Sequence, residues 1–391
     1  MTQLLIPAAD PVGLPAPPWL LQFLLVLTFV LHILPMSLVL GGGFIAVWTH
    51  LTGDNPAARR LVAHLAGILP SAIAYTITLG IAPLLFVQLL YGTLFYTSSI
   101  LMGFPWLAAL GLLLIGYYSL YLYAEGGRRA EGERPAWAGV LSVACFIGVS
   151  YLITNNLSLM VSPAGWAEMY AADPSGTSLR LPVQAVLPRY LHAFSVALTL
   201  AASYVVLHGF WSARSGGAEN AEYGQFVRRW GAGWLSGALA LQAVMGAWYL
   251  SSLSGQAKGW LLGGDPAMAL FLALGTLLMA AGGILLLLAA GRNATGSAWA
   301  GGAGVLLGTV CLAIVRHLLE NRTAAQFLPA GAWDIRPQWA IFVLFALILV
   351  LGLGLVAWMV LRVQADLKGG AAPRAGLGTG APGVAAGKGR S

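Results

Sequence analysis

Charge is what this 391-residue sequence has little of: Asp, Glu, Lys and Arg together make up 8%, against roughly 25% in an ordinary globular chain. A water-soluble fold of this length cannot cover its surface with so few ionised groups. Intrinsic disorder is excluded from the other side, because 59% of the residues are hydrophobic and disordered chains are poor in such residues. There are only two cysteines, Cys145 and Cys311, both inside apolar runs. With no CxxC or CxxCH pattern, a disulfide framework, a thiol-redox pair and a covalently attached c-type haem all drop out, leaving both cysteines as core fillers. Zinc-ligand spacing and basic stretches interleaved with aromatics are also missing, which argues against nucleic acid as a partner. No Lys or Arg precedes Arg59, so the first apolar run lacks the basic flank of a cleaved signal and reads as a retained helix.

What is present is apolar sequence in long runs. A mean hydropathy of +0.80 and several runs of 20 or more apolar residues predict an all-α, polytopic membrane helix bundle. Nine transmembrane helices are placed near 19–48, 66–92, 104–124, 137–156, 187–211, 230–253, 266–290, 298–319 and 339–362. Trp19, Trp48, Trp137, Trp211, Trp230, Trp339 and Trp358 edge these spans as an interfacial belt would. The first span, at about 30 residues or ~45 Å, must tilt or project from the hydrocarbon. Residues 1–18 read as an outer N-terminal segment, 19–362 as the nine-helix membrane domain, and 363–391 as a disordered basic cytoplasmic tail rich in Gly, Ala and Pro. The loop 157–186 is rich in Pro, Gly and Ser, and no internal repeat supports an inverted-repeat transporter.

The net charge of +7 follows from topology. Fourteen of the twenty basic residues, including Arg59, Arg60, Arg128, Arg129, Arg134, Arg228, Arg229 and Lys368, fall on one side of the predicted bundle, and six, Arg180, Arg189, Lys258, Arg316, Arg322 and Arg336, fall on the other. The positive-inside rule then puts the N-terminus outside and the C-terminus in the cytoplasm.

Ionisable groups inside spans are costly and mark function. No Asp, Glu or Lys lies deep in any predicted span, and six histidines remain: His32, His50, His64, His192, His208 and His317. His32 lies ~20 Å below Trp19, close to mid-membrane, and His192 lies ~8 Å into the fifth span from the outer side. His317 is near the outer end of the eighth. His50, His64 and His208 sit near the cytoplasmic boundary, where interfacial hydrogen bonding is the ordinary role. Neutral imidazole is the usual protein ligand of b-type haem iron. The ~12 Å difference in depth between His32 and His192 suits two haems and not one.

Several segments occur in a telling order. The first span reads LQFLLVLTFVLHILPMSLVLGGGF, with His32 nine residues before Gly41; the second reads TLGIAPLLFVQLLYGTLFYTS. NNLSLMVSPAGW follows the fourth span. VLPRYLHAFSVALTLAASYVVLHG forms the fifth, with Arg189 three residues before His192, and IRPQWAI precedes the last. In this order they resemble subunit I of cytochrome bd-type quinol oxidases. The resemblance implies nine spans, an outer N-terminus and haems toward the outer face. It also implies His32 as ligand of a high-spin haem b and His192 as ligand of a low-spin haem b. The chain departs from that pattern in four places. The third span, FPWLAALGLLLIGYYSLYLYA, lacks the family's glutamates. AIVRHLLENR puts Arg316 and His317 where the family has a haem d carboxylate, which makes His317 a candidate replacement ligand. The family's second low-spin ligand, a Met, aligns with Leu274, with Met268 about two turns away. The quinol loop is cut to SGQAKGWLLGGDP. Arg336 and Trp339 are candidates to touch a haem propionate or quinone headgroup, and serve equally as interface anchors.

The resulting expectation is a haem b-containing subunit of a respiratory electron-transfer complex in the bacterial cytoplasmic (inner) membrane. It would carry two or more haems, with quinone as a further cofactor, and pass electrons between quinol and an outer-face redox subunit such as a c-type cytochrome. The alternatives are a non-redox transporter or assembly scaffold of the same fold, and a divergent terminal quinol oxidase, which the missing glutamates disfavour.

Overall fold

A computed structural model describes residues 12–127, 134–179 and 183–369. The predicted outer segment before residue 12, the basic residues Arg128, Arg129 and Arg180, and the predicted tail beyond residue 369 lie outside the described residues. Regular structure among the described residues is helical, the one strand-like feature being an isolated parallel bridge between Leu14 and Ile335. Local chemistry sets the helix ends. Helix α1 (Pro18–Ser37) opens on a proline, whose missing N–H costs nothing at that position. It runs through a π-helical turn, Leu38–Gly42, into α2 (Gly43–Thr52). The Asn55 side chain caps α3 (Pro56–Leu101) by accepting from the N–H of Ala58 at 2.8 Å, and α3 kinks at Tyr91. There follow α4 (Gly103–Gly126), α5 (Ala136–Met160), the short α6 (Trp166–Ala172), α7 (Val183–Ala213) and α8 (Ala218–Ser252). The segment after α8 folds as a Ser254-capped turn, α9 (Gly255–Gly259). Asp265 caps α10 (Pro266–Arg292), left-handed Asn293 ends it, and α11 (Thr295–Ala325) returns. Pro337 onward forms a second unit whose described part is α12 (Trp339–Gly369).

Eight helical stretches among the described residues are long and apolar enough to cross a membrane, making this a multi-pass membrane protein. The predicted span 230–253 is helical but less apolar, diluted by Trp, Gly, Ser and Gln242. It nevertheless lies antiparallel along α7. Gly224 faces Gly209 at one end, and Tyr249 stacks on His192 at the other. Twenty-five residues separate Gly224 from Tyr249, about 37 Å of helix, so α8 traverses the same thickness as α7.

Small residues let these helices approach. A Cβ on Gly41 would stand 2.5 Å from the carbonyl oxygen of Ala197 in α7, and one on Gly282 would stand 2.6 Å from the backbone nitrogen of Val305 in α11. The largest apolar core, including Ile45, Leu65, Val205, Phe210, Leu235, Leu286 and Val305, fills the half predicted to face the cytoplasm. Cys145 and Cys311 are buried and unpaired, as core fillers should be.

Candidate functional site

His32 is held by α3. Its Nδ1 lies 2.9 Å from the backbone carbonyl oxygen of Thr76. A carbonyl only accepts, so Nδ1 carries the proton and Nε2 keeps its lone pair. A metal-ligating imidazole is typically fixed this way through its other nitrogen. Gly80, one turn after Thr76, makes room, since a Cβ there would stand 2.9 Å from both Cε1 and Nδ1 of His32.

His192 repeats the arrangement on a different helix. Its ring rests on Gly246 of α8, where a Cβ would stand 3.3 Å away. Nδ1 is buried and approaches the carbonyl of Gln242, one turn before Gly246, without completing a hydrogen bond. Tyr249 stacks on the ring at 6.0 Å. His32 and His192 are thus seated against different helices, α3 and α8.

His317 is buried in α11 with no hydrogen-bond partner for Nε2. Beside it lies a group the sequence reading missed. The predicted eighth span ends at 319, whereas α11 continues to Ala325 and carries Glu320 inward, its side chain only 12% exposed. Arg189 of α7 pairs with this carboxylate, and Arg316 pairs with it at 3.1 Å from one turn earlier. The expectation of an interior without carboxylates is corrected: Glu320 is tolerated because two guanidiniums meet it. The i, i+4 spacing of Arg316 and Glu320 was the available signal. Arg189 also reaches the Ser158 hydroxyl at 3.5 Å, and the Arg316 guanidinium lies 4.4 Å over the Phe29 ring, one turn from His32. Nearby, the Tyr91 hydroxyl donates to Oδ1 of Asn321 at 2.9 Å and the Gln22 amide donates to the same oxygen at 3.3 Å. Helices α1, α3, α5, α7 and α11 thus converge on one buried polar cluster.

The remaining candidates lie elsewhere. Met268 is fully buried in an apolar cluster with Ala257, Leu261, Val315 and Leu319, which contains no histidine. Arg336 pairs its backbone N–H with the Leu14 carbonyl at 2.9 Å and leaves its side chain exposed. Within the second unit, Trp339 meets Phe342 edge-on at 6.1 Å. Asn155 and Asn156, which open the NNLSLMVSPAGW segment, are buried inside α5, and the Asn156 amide donates to the Ser99 hydroxyl at 3.3 Å. Of the histidines assigned to the cytoplasmic boundary, His50 packs near Tyr123, while His64 and His208 stack face to face at 3.6 Å. Their Nε2 atoms reach the hydroxyls of Tyr204 and Tyr223 at 2.9 and 3.1 Å. Sequence spacing gives no hint of that pairing across 144 residues, from 64 to 208.

No protein-family model matches the chain, and no curated protein matches it. Among solved structures it is similar to a chain of the bd oxidase from Geobacillus thermodenitrificans, at 14% sequence identity and a TM-score of 0.66. The match covers 90% of this chain and 99% of that one, so the two share a fold over nearly their full length.

Proposed function

We propose that this chain is a haem b-carrying membrane subunit of a respiratory electron-transfer complex, passing electrons between membrane quinol and a redox partner at the outer face, with a c-type cytochrome as the partner class. The observation that carries the reading is the seating of His32. Its Nδ1 is committed to Thr76, and its Nε2 is left as a ligand in a helix with no other ionisable group. The matching seat of His192 over Gly246 and the fold shared with a bd oxidase support it. His32 and His192 would each hold one haem iron, with His317 as a further candidate ligand. A bound haem supplies a one-electron iron couple. The chain's own residues orient the imidazoles, exclude water with apolar helices, and offer Arg189 and Arg336 to polar edges of haem or quinone. Glu320 is engaged by two arginines and does not stand free as a proton acceptor, which favours electron transfer over oxygen reduction.

A reduced-minus-oxidised spectrum of the purified protein tests this. The expected result is a b-type α-band from which His32→Ala and His192→Ala each remove a different component. A spectrum with no such band ends the haem reading, and loss of one shared component from both variants ends the two-site assignment.

A further inference from the structure

The cluster around Glu320 does not balance its charge. Two guanidiniums, Arg189 and Arg316, face one carboxylate. The other titratable groups near the two arginines are Tyr91, Tyr249, His32 and His317, none of which carries a negative charge near neutral pH. Among the described residues no second carboxylate pairs with either arginine. Two guanidiniums sharing one carboxylate leave the cluster with a net positive charge, and arginine cannot shed its proton to escape it.

The Arg316 side chain is 31% exposed against 12% for Arg189, so Arg316 is the arginine of the pair that a small solute can reach. His317 adds a buried Nε2 with no partner. A planar guanidinium fork fits the two oxygens of a carboxylate better than a spherical ion.

We infer that Arg316, Arg189 and His317 form an anion site at the end of the bundle predicted to face outward, built for a carboxylate that neutralises the excess positive charge. Glu320 sets the spacing of the two arginines and keeps the site from binding too tightly. The inference stands on the charge count and holds whether or not a haem is present. The carboxylate has two sources, the propionate edge of a porphyrin or a small free acid, and the shared chemistry is the anionic oxygen pair.

The test uses the full-length protein in detergent, with its haem content measured separately and sodium formate as the probe against equal sodium chloride. If the preparation carries no haem, formate should raise the melting temperature saturably. Arg316→Gln should then weaken the formate effect by about tenfold or more, the loss of a charge-assisted hydrogen bond, while Arg316→Lys should retain part of it. Glu320→Gln should tighten formate binding, the opposite of what a purely structural Glu320 would give. If haem is present and its propionate fills the site, formate should have no effect. Arg316→Gln should then lower the midpoint potential of one haem, because removing a cation disfavours the reduced form. The inference is overturned if formate acts no differently from chloride in haem-free protein, or if Arg316→Gln leaves both the formate response and every midpoint potential unchanged. Absence of haem alone removes the redox reading and leaves the anion site standing.

Discussion

At the scale of single residues, two glycines define the histidine seats, and they differ in a measurable way. A Cβ on Gly80 would stand 2.9 Å from a ring that the Thr76 carbonyl holds in place, whereas one on Gly246 would stand 3.3 Å from His192, whose Nδ1 bond is incomplete. Overpacking of the first kind costs about 1–3 kcal/mol. A glycine-to-alanine change inside a helix contributes about 1 kcal/mol the other way. Gly80→Ala should therefore destabilise on balance, and Gly246→Ala should be near neutral or mildly stabilising. Thermal unfolding of the two variants in detergent checks this, and equal effects would mean that the seats are alike. The histidines themselves were legible in the sequence because an ionisable group in an apolar run stands out. Their partners were not legible, because Thr76, Gly80, Gln242 and Gly246 are ordinary residues until the helices are placed side by side.

At the scale of elements, the predicted start at 266 matches the Asp265-capped helix, whereas the predicted start at 66 missed the Asn55–Pro56 cap by ten residues because it followed apolar content alone. Asp265 accepts from the N–H groups of Ala267 and Met268 at 3.0 and 3.2 Å, and pairs with Arg322. Replacing it by Ala should cost about 1 kcal/mol, the usual worth of such a cap. The backbone N–H of Met268, with help from Arg322 and Ala267, holds the Asp265 carboxyl below its ordinary range. A carboxyl depressed in the folded state stabilises above its unfolded value of about 3.9 and loses that contribution as pH falls through the folded value. The gap in melting temperature between wild type and Asp265→Ala should thus be full at neutral pH and shrink in acid below about pH 4. A gap that widens in acid would contradict the assignment. Helix ends were less legible. Nothing in LLENRTAA stops a helix, so α11 overran its predicted limit and brought Glu320 inside. Helix faces were the least legible, since a helix wetted by lipid is apolar all round and carries little periodic contrast. The pairing of His64 with His208 depends on those faces and had no signal in the sequence.

At the scale of the whole molecule, composition alone settled the class: too little charge for a soluble surface and enough apolar length for many crossings. The sixth crossing shows the weakness of a hydropathy threshold, because α8 qualifies by its contacts along α7 while its Trp, Gly and Gln242 hold its hydropathy down. Orientation rests on the distribution of Lys and Arg, and it makes a direct prediction. A fluorescent reporter that matures only in the cytoplasm should light up when fused after residue 391, and one inserted in the loop between α9 and α10 should stay dark. The reverse pattern would turn the bundle over and move the Arg189–Glu320–Arg316 cluster to the cytoplasmic side.

The π-helical turn at Leu38–Gly42 makes the length of the first crossing matter as much as its composition. One extra residue in a helical turn advances the phase of everything beyond it by about 100° and ~1.5 Å. His32 above the turn and Thr49 and His50 below it face their respective neighbours only because that extra residue is there. Deleting Gly42 should restore a regular helix and swing His32 out of register with Thr76, removing the His32 spectral component although no ligand has been touched. Gly42→Ala keeps the count and meets only the Leu38 Cβ of its own turn at 4.0 Å, so it should leave that component intact. In this crossing, then, a change in residue number should be far more damaging than a change in residue type, and indels between residues 33 and 48 should be rarer among functional variants than apolar substitutions there.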